Sequence, residues 1–232
     1  MFNVSTGYPI SMTGIQGGGK KTLRDGLVAR FPRFEPVELH LLKLGRMVDL
    51  EGLQVFRDRY REQDRLVRDI VGRERLAVTS RLGILDVALV ASVMAGLGKI
   101  EQDGVEAFLE EVEADVPAML FPSTLAAVTA DAATLQQRLA ARDEGQARKP
   151  SRGARALAFM AGKLEDVYVR GAYPHPVVEH MVEPYRRSGT LLLVDTAALD
   201  EAEALGLVAQ HLEDHGAVSG PAQRLAAPAE GR

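Results

Sequence analysis

Between Thr13 and Thr22 the chain reads Thr-Gly-Ile-Gln-Gly-Gly-Gly-Lys-Lys-Thr, which places Gly14, Gly17, Gly18 and Gly19 inside six residues. Gly14 to Lys20 fits the spacing G-x-x-x-x-G-K of a phosphate-cradling loop. The chemistry needs that spacing. Glycines let backbone N–H groups turn inward toward a polyphosphate, a helix N-terminus adds partial positive charge, and the lysine reaches the β- and γ-phosphates. An apolar run, Tyr8–Met12, precedes the loop, and a helical pattern from about Gly19 to Arg30 follows it. A strand–loop–helix of this kind is the opening of a βαβ unit, so the chain is constrained toward a parallel sheet. A tight turn that merely happens to be glycine-rich would explain the glycines but not Lys20 at its place.

The residue after the lysine departs from the motif. A Ser or Thr hydroxyl there helps hold Mg²⁺, and here the residue is Lys21. Thr22 comes one residue later, about 100° further round the helix. Three readings stay open: a metal held by water and carboxylates, a Lys21 ammonium replacing part of its charge, or nucleotide chemistry weakened or lost.

Short apolar runs alternate with longer helical periodicities along the rest of the chain. The fold expected is therefore α/β, a doubly wound five-stranded parallel sheet flanked by helices. Strands are expected at Tyr8–Met12, Phe34–Leu39, Leu76–Thr79, Leu125–Thr129 and Thr190–Val194. Leu53, Phe56, Tyr60, Leu66, Val67 and Ile70 mark a long amphipathic helix. Further helices fit Ile84–Leu97, Gln102–Glu113, the segment with Leu135 and Leu139, Ala154–Val169, Val177–Arg187 and Glu201–Glu213. Residues 142–153, RDEGQARKPSRG, are polar, punctuated by Gly and Pro and basic toward their end, and read as a mobile loop. Residues 1–215 form one domain in this reading, and the Ala/Gly/Pro-rich 216–232 a disordered tail.

Composition narrows the function classes. The 232 residues include no Cys, which excludes disulfides, thiolate metal sites and a catalytic thiol together. A net charge of −4 supplies no global field for nucleic acid, so any polyanion site must be local. The N-terminus carries no basic leader, and the uncharged stretch Val116–Ala130 holds Pro117 and Pro122. No membrane association and a cytoplasmic location follow as expectations. Of the five histidines, only His211 and His215 stand at i,i+4. Beside Glu213 and Asp214 they read as solvated residues at a helix C-terminus rather than as metal ligands.

The string Gly14-Ile15-Gln16-Gly17-Gly18-Gly19-Lys20-Lys21-Thr22-Leu23 resembles the GxxGxGKTTL opening of thymidylate kinases and deoxynucleoside kinases. Further segments run in the same order over about residues 8–213, each short and individually unspecific. Phe34-Glu35-Pro36-Val37 resembles the E-P-V of the deoxynucleoside kinases' second strand. Val78-Thr79-Ser80-Arg81 resembles the third-strand D-R or E-R motif, with Ser80 where the family has an acid. Thr129-Ala130-Asp131 followed by Leu135, Arg138, Leu139 and Arg142 is similar to the approach to an arginine-rich lid, and Val194-Asp195 to the strand delivering the adenine-side loop.

The resemblance implies an ATP- and Mg²⁺-dependent kinase of nucleoside or nucleotide metabolism, acting on a nucleoside or nucleoside monophosphate. Gly14, Gln16, Gly17, Gly18, Gly19, Lys20, Lys21 and Thr22 would bind the triphosphate, and Glu35 would take the acceptor hydroxyl's proton. Arg81 would neutralise phosphate, and Arg142 and Arg148, with Lys149 and Arg152, would close over the triphosphate as a mobile basic lid. Thr22 and Asp86 are candidate metal contacts, with Glu38 a further carboxylate. Phe56, Tyr60 and Gln63 occupy the helix with which such kinases read an acceptor base, although packing explains them equally well. A homodimer, common in the superfamily, is compatible with exposed Leu and Val. One rival reading is a kinase acting on a hydroxyl of a modified base within DNA. Another, from a different class, is a nucleotide-binding protein without catalysis.

Overall fold

The computed structural model describes residues 6–15, 17–37, 49–145 and 154–218. Five strands, all parallel, form one sheet in the order β2-β3-β1-β4-β5: β1 is Thr6–Gly14, β2 Phe34–Val37, β3 Leu76–Thr79, β4 Phe121–Thr129 and β5 Leu191–Asp195. This is the expected doubly wound α/β architecture. Parallel sheets are covered on both faces, so their strands are continuously apolar rather than alternating. All four residues of β3 are buried accordingly.

Eight α-helices complete the described chain. They are α1 (Lys20–Arg30), α2 (Leu50–Gly72), α3 (Gly83–Gly96), α4 (Gln102–Asp115), α5 (Ala132–Gly145), α6 (Ala154–Glu165), α7 (Pro176–Ser188) and α8 (Glu201–Asp214). On one face of the sheet, Leu23 and Leu27 of α1 and Val208 and Leu212 of α8 pack on Ile10, Met12, Val128 and Val194. On the other, Leu53, Phe56 and Tyr60 of α2 join α3, α4 and α7 around Phe121, Leu125 and Ala127. The chain leaves β1 for β2 and β3 on one side and later places β4 on the other. The carboxyl end of β1 is therefore the point where strand order reverses, the place where open α/β sheets bind ligands.

Local signals set most boundaries. Asp49 caps α2 by accepting from Gly52 N at 2.8 Å, and Asp200 and Glu203 form a reciprocal capping box on α8. Strand β4 begins at Phe121, earlier than expected, and takes in Pro122. A proline fits there because β4 pairs with β5 only from Leu125 onward. The helix expected at Ala154–Val169 stays α-helical to Glu165 and then widens to a π-turn, Asp166–Arg170. Of the expected loop 142–153, residues 142–145 continue α5, and 146–153 lie outside the described residues. In the expected tail, Ala217 and Val218 pack against the α1/α8 core, and 219–232 lie outside the described residues. No helix among the described residues is long and apolar enough to cross a membrane.

The second layer on the α2 face is held by charge. Asp115, at the C-terminal end of α4, accepts from Arg57 Nε at 2.8 Å, from Arg61 Nη2 at 2.7 Å and from the Tyr60 hydroxyl. Three donors offset the unfavourable helix-end position of this anion. Burial raises its pKa, but the hydrogen bonds from Arg57, Arg61 and Tyr60 hold it well below the usual carboxylate range. The folded value being depressed, its stabilisation is complete above the unfolded value near 4 and is lost as pH falls below it. Asp115→Ala should cost about 2–4 kcal/mol in urea unfolding at pH 7. It should also flatten the fall in stability between about pH 4 and pH 2.

Candidate functional site

At the carboxyl end of β1 the chain makes the turn that the glycines predict. Gly14 has φ +132°, and a Cβ there would collide with the carbonyl oxygen of Val128 on the neighbouring β4. Gly19, the N-cap of α1, sits at φ +91°, a left-handed conformation that L side chains rarely adopt. The loop therefore presses against the sheet before α1 begins, with Gly18 N donating to Ile15 O at 3.2 Å. Gln16 lies outside the described residues.

Lys20, the first residue of α1, is 6 % exposed, and its Nζ donates to Gly14 O and Ile15 O at 2.6 Å each. Burial lowers its pKa to about 7, repulsion from Arg81 adds to that shift, and Asp86 partly offsets it. Arg81 and Asp86 both act on this group, the first by repulsion and the second by attraction. Arg81 Nη1 donates to Asp86 Oδ2 at 3.1 Å, and Thr13 Oγ1 donates to Asp86 Oδ1 at 3.1 Å. Buried Gln63 fixes the segment carrying Arg81 from α2, donating to Arg81 O at 2.9 Å and accepting from Gly83 N at 3.1 Å. Two cations and one carboxylate thus sit where the strand order reverses.

On the other side of the loop, Arg138 of α5 spans to the β5–α8 connection. Its guanidinium donates to Thr196 O at 2.6 Å, to Thr196 Oγ1 at 2.9 Å and to Gly17 O at 3.5 Å. Thr196 Oγ1 in turn lies 3.1 Å from Gly18 O and 3.0 Å from Thr129 O. Beside this bridge opens a cavity of about 290 Å³, lined by Gly17, Gly19, Thr22, Arg138, Leu199 and Asp200 among others. A larger cavity, about 400 Å³, lies between α3, α4, α6 and the segment 172–175 and includes no residue of the glycine loop. The smaller one borders the glycine loop through Gly17 and Gly19, beside the N-terminus of α1.

The structure brings together Gly14, Gly17, Gly18, Gly19, Lys20, Arg81 and Asp86. It does not bring Glu35 to them. Glu35 is in register with Ala77 of β3, and its carboxylate is paired with Arg73 at 2.8 Å and Arg75 at 3.9 Å, in the turn entering β3. Because Ile10 of β1 is level with Val78, Glu35 lies five residues short of the level of Gly14. At ~3.3 Å per residue that is roughly 16 Å along the strands. Glu35 is an ion-paired residue toward the entry edge of the sheet, away from the loop.

Lys21 and Thr22 are both exposed on α1, and Thr22 faces the cavity toward α8 while Asp86 is held on α3. The two candidate metal contacts thus stand apart, and both carboxylate oxygens of Asp86 are engaged. Among the described residues no three His, Cys, Asp or Glu side chains gather into a metal-sized group. Phe56 and Tyr60 belong to the core, and Gln63 is spent on backbone. Arg142 falls on α5 with its side chain outside the description, and Glu38, Arg148, Lys149 and Arg152 lie outside the described residues. Sequence reasoning missed the contribution of Thr13, Arg138 and Thr196. Arg138 had a signal in its place on the helix after β4; the others had none.

No protein-family model matches the chain, and no curated protein matches it. Solved structures do. With deoxyadenosine kinase of M. mycoides bound to dCMP and a flexible dCDP, the chain superposes at a TM-score of 0.63 with 15 % identity, covering 89 % of this chain and 99 % of that one. The same enzyme with bound dCTP gives 0.62 at 15 % identity, and with bound dATP 0.55 at 12 %, with the same coverage. Over 89 % of its length the chain shares the fold of these kinases.

Lys20 generates a direct test. With its pKa near 7, the amine is mostly neutral at pH 8, and a polyphosphate beside it restores the proton. Calorimetry of ATP binding at pH 8, in buffers of different ionisation enthalpy, should register uptake of about one proton. Lys20→Met should abolish that uptake.

Proposed function

We propose that the chain is an ATP-dependent phosphotransferase that moves the γ-phosphoryl group to a nucleoside or nucleoside monophosphate. The observation that carries this reading is the convergence of buried Lys20, Arg81 and Asp86 at the carboxyl end of β1. The fold likeness to a deoxynucleoside kinase supports it. In this reading the N–H groups of residues 14–19, with Gln16 among them, cradle the triphosphate, and Lys20 swings from the loop carbonyls to its β/γ oxygens. Arg81 neutralises the equatorial oxygens of the phosphoryl in flight, and Asp86 holds it there. Lys21 adds a cation at the start of α1. Arg142, from α5, and Arg148, beyond it in sequence, complete the charge over the triphosphate.

Glu35 has no part in this mechanism. A loose phosphoryl-transfer transition state makes little demand on a base, and positioning and charge do most of the catalysis. Magnesium would arrive with the triphosphate, bound by its oxygens and by water rather than by a protein ligand set. No step is assigned to it. A homodimer would draw on the exposed Leu50, Val55 and Leu66 of α2.

A second reading, nucleotide binding without transfer, is favoured by the exposed Lys21 and by the separation of Thr22 from Asp86. Radiolabelled ATP with nucleosides, nucleoside monophosphates and short oligonucleotides, with and without Mg²⁺, separates the two. The kinase reading requires transfer to a free nucleoside or monophosphate. Transfer to oligonucleotides alone would move the acceptor into nucleic acid, and ATP binding with no transfer to any acceptor would leave the binding protein. Lys20→Ala and Arg81→Ala should each lower turnover by about 10²-fold. Glu35→Gln should change it by less than about twofold, its carboxylate being an exposed surface pair.

A further inference from the structure

One buried tyrosine has no place in the mechanism above. Tyr168 lies on the π-turn that follows α6, its side chain fully buried, and its hydroxyl is 2.9 Å from Thr13 Oγ1 across 155 residues of chain. π-Turns are rare and frequently occur at functional sites. Thr13 is the last residue before Gly14, and it too is fully buried. Its hydroxyl has one proton and donates it to Asp86 Oδ1. The hydrogen on the Tyr168–Thr13 bond must therefore come from Tyr168. Burial raises the phenol's pKa above its ordinary value, and the nearby Asp86 carboxylate adds to the rise, so the donor stays protonated at every working pH.

The direction of each bond is then settled: Tyr168 O–H to Thr13 Oγ1, Thr13 O–H to Asp86 Oδ1, and Arg81 Nη1–H to Asp86 Oδ2. Asp86 is 7 % exposed and accepts on both oxygens, so the bond on one oxygen sets the angle at which the other faces Arg81. Arg81 itself is partly exposed and has its backbone carbonyl held by Gln63. Among the described residues its guanidinium is paired with that carboxylate alone. We infer that Tyr168 is a positioning residue: through Thr13 it fixes the Asp86 carboxylate and thereby aims Arg81 at the phosphate site. The inference rests on the phosphotransferase reading for its consequence, but the relay exists in the geometry independently of catalysis.

The test reads the relay at Arg81 and, separately, in turnover. A guanidinium pinned through Nη1 rotates slowly about Nε–Cζ, so the Arg81 Nη resonances, assigned with Arg81→Lys, report its restraint. Tyr168→Phe and Thr13→Val should each collapse that slow-rotation signature, and Thr13→Ser, which keeps a hydroxyl, should retain it. Tyr173→Phe removes a buried-side phenol bonded to Glu183 instead and should leave the signature unchanged. In transfer assays Tyr168→Phe should lower kcat by about tenfold with KM for ATP within about twofold. The double variant with Thr13→Val should be no worse than either single, because both break one chain. An unchanged Arg81 signature in a folded Tyr168→Phe protein overturns the inference, and so do additive losses in the double variant. A wild-type protein that transfers no phosphate to any acceptor sinks the kinase reading instead, and the Arg81 resonances still decide the relay.

Discussion

The contact between Gly14 and the carbonyl of Val128 sets the rest of the molecule. Two central parallel strands, β1 and β4, run in register from Ile10↔Thr124 to Gly14↔Val128 with no side chain between them at the end. That close approach lets the glycine loop fold back over the sheet instead of rising away from it. Lys20 is buried as a consequence, since the first turn of α1 starts within reach of the carbonyls of Gly14 and Ile15. A Cβ at Gly14 would separate the strands, lift the loop and expose the ammonium, all at the point where strand order reverses. One missing methyl group thus connects sheet geometry to site electrostatics.

Electrostatically, the site holds two cations against one described carboxylate. Lys20 and Arg81 repel each other, and Asp86 relieves only part of the cost of burying the ammonium. A site that is short of negative charge when empty gains most from a polyanion, because phosphate oxygens replace both repulsion and desolvation with attraction. The substitution pattern sharpens this. Ser80 stands where the resembled motif has an acid, and Lys21 where it has a hydroxyl, so both changes move the site the same way, toward positive charge.

How much of this was legible follows from how far apart in sequence the partners lie. The glycines and Lys20 act within one short loop, so spacing alone revealed the cradle and the strand–helix context on either side of it. The five strands were legible because buried parallel strands are apolar throughout, although Pro122 hid the first residues of β4. Glu35 misled because a short motif says nothing of register: Phe34 pairs with Leu76, and that pairing puts the carboxylate beside Arg73 and Arg75, well short of the loop. Thr196 and Tyr168 left no trace at all. Their partners are 178 and 155 residues away, and a lone Thr or Tyr among apolar neighbours looks like packing.

Those two long-range bonds explain why the loop can be both rigid and responsive. Arg138 and Thr196 tie Gly17 and Gly18 to α5 and β5, on the side where α8 begins. Tyr168 ties Thr13 and Asp86 to the turn after α6, on the opposite side. The segments that bear on the loop from its two flanks therefore both belong to the excursion of chain between β4 and α8. A shift of α5 or α6 reaches the backbone of the cradle through one tie and the aim of Arg81 through the other. Coupling of that sort needs no long pathway, only that both ties end on the same seven-residue stretch, Thr13 to Gly19, whose shape the Gly14–Val128 contact already constrains.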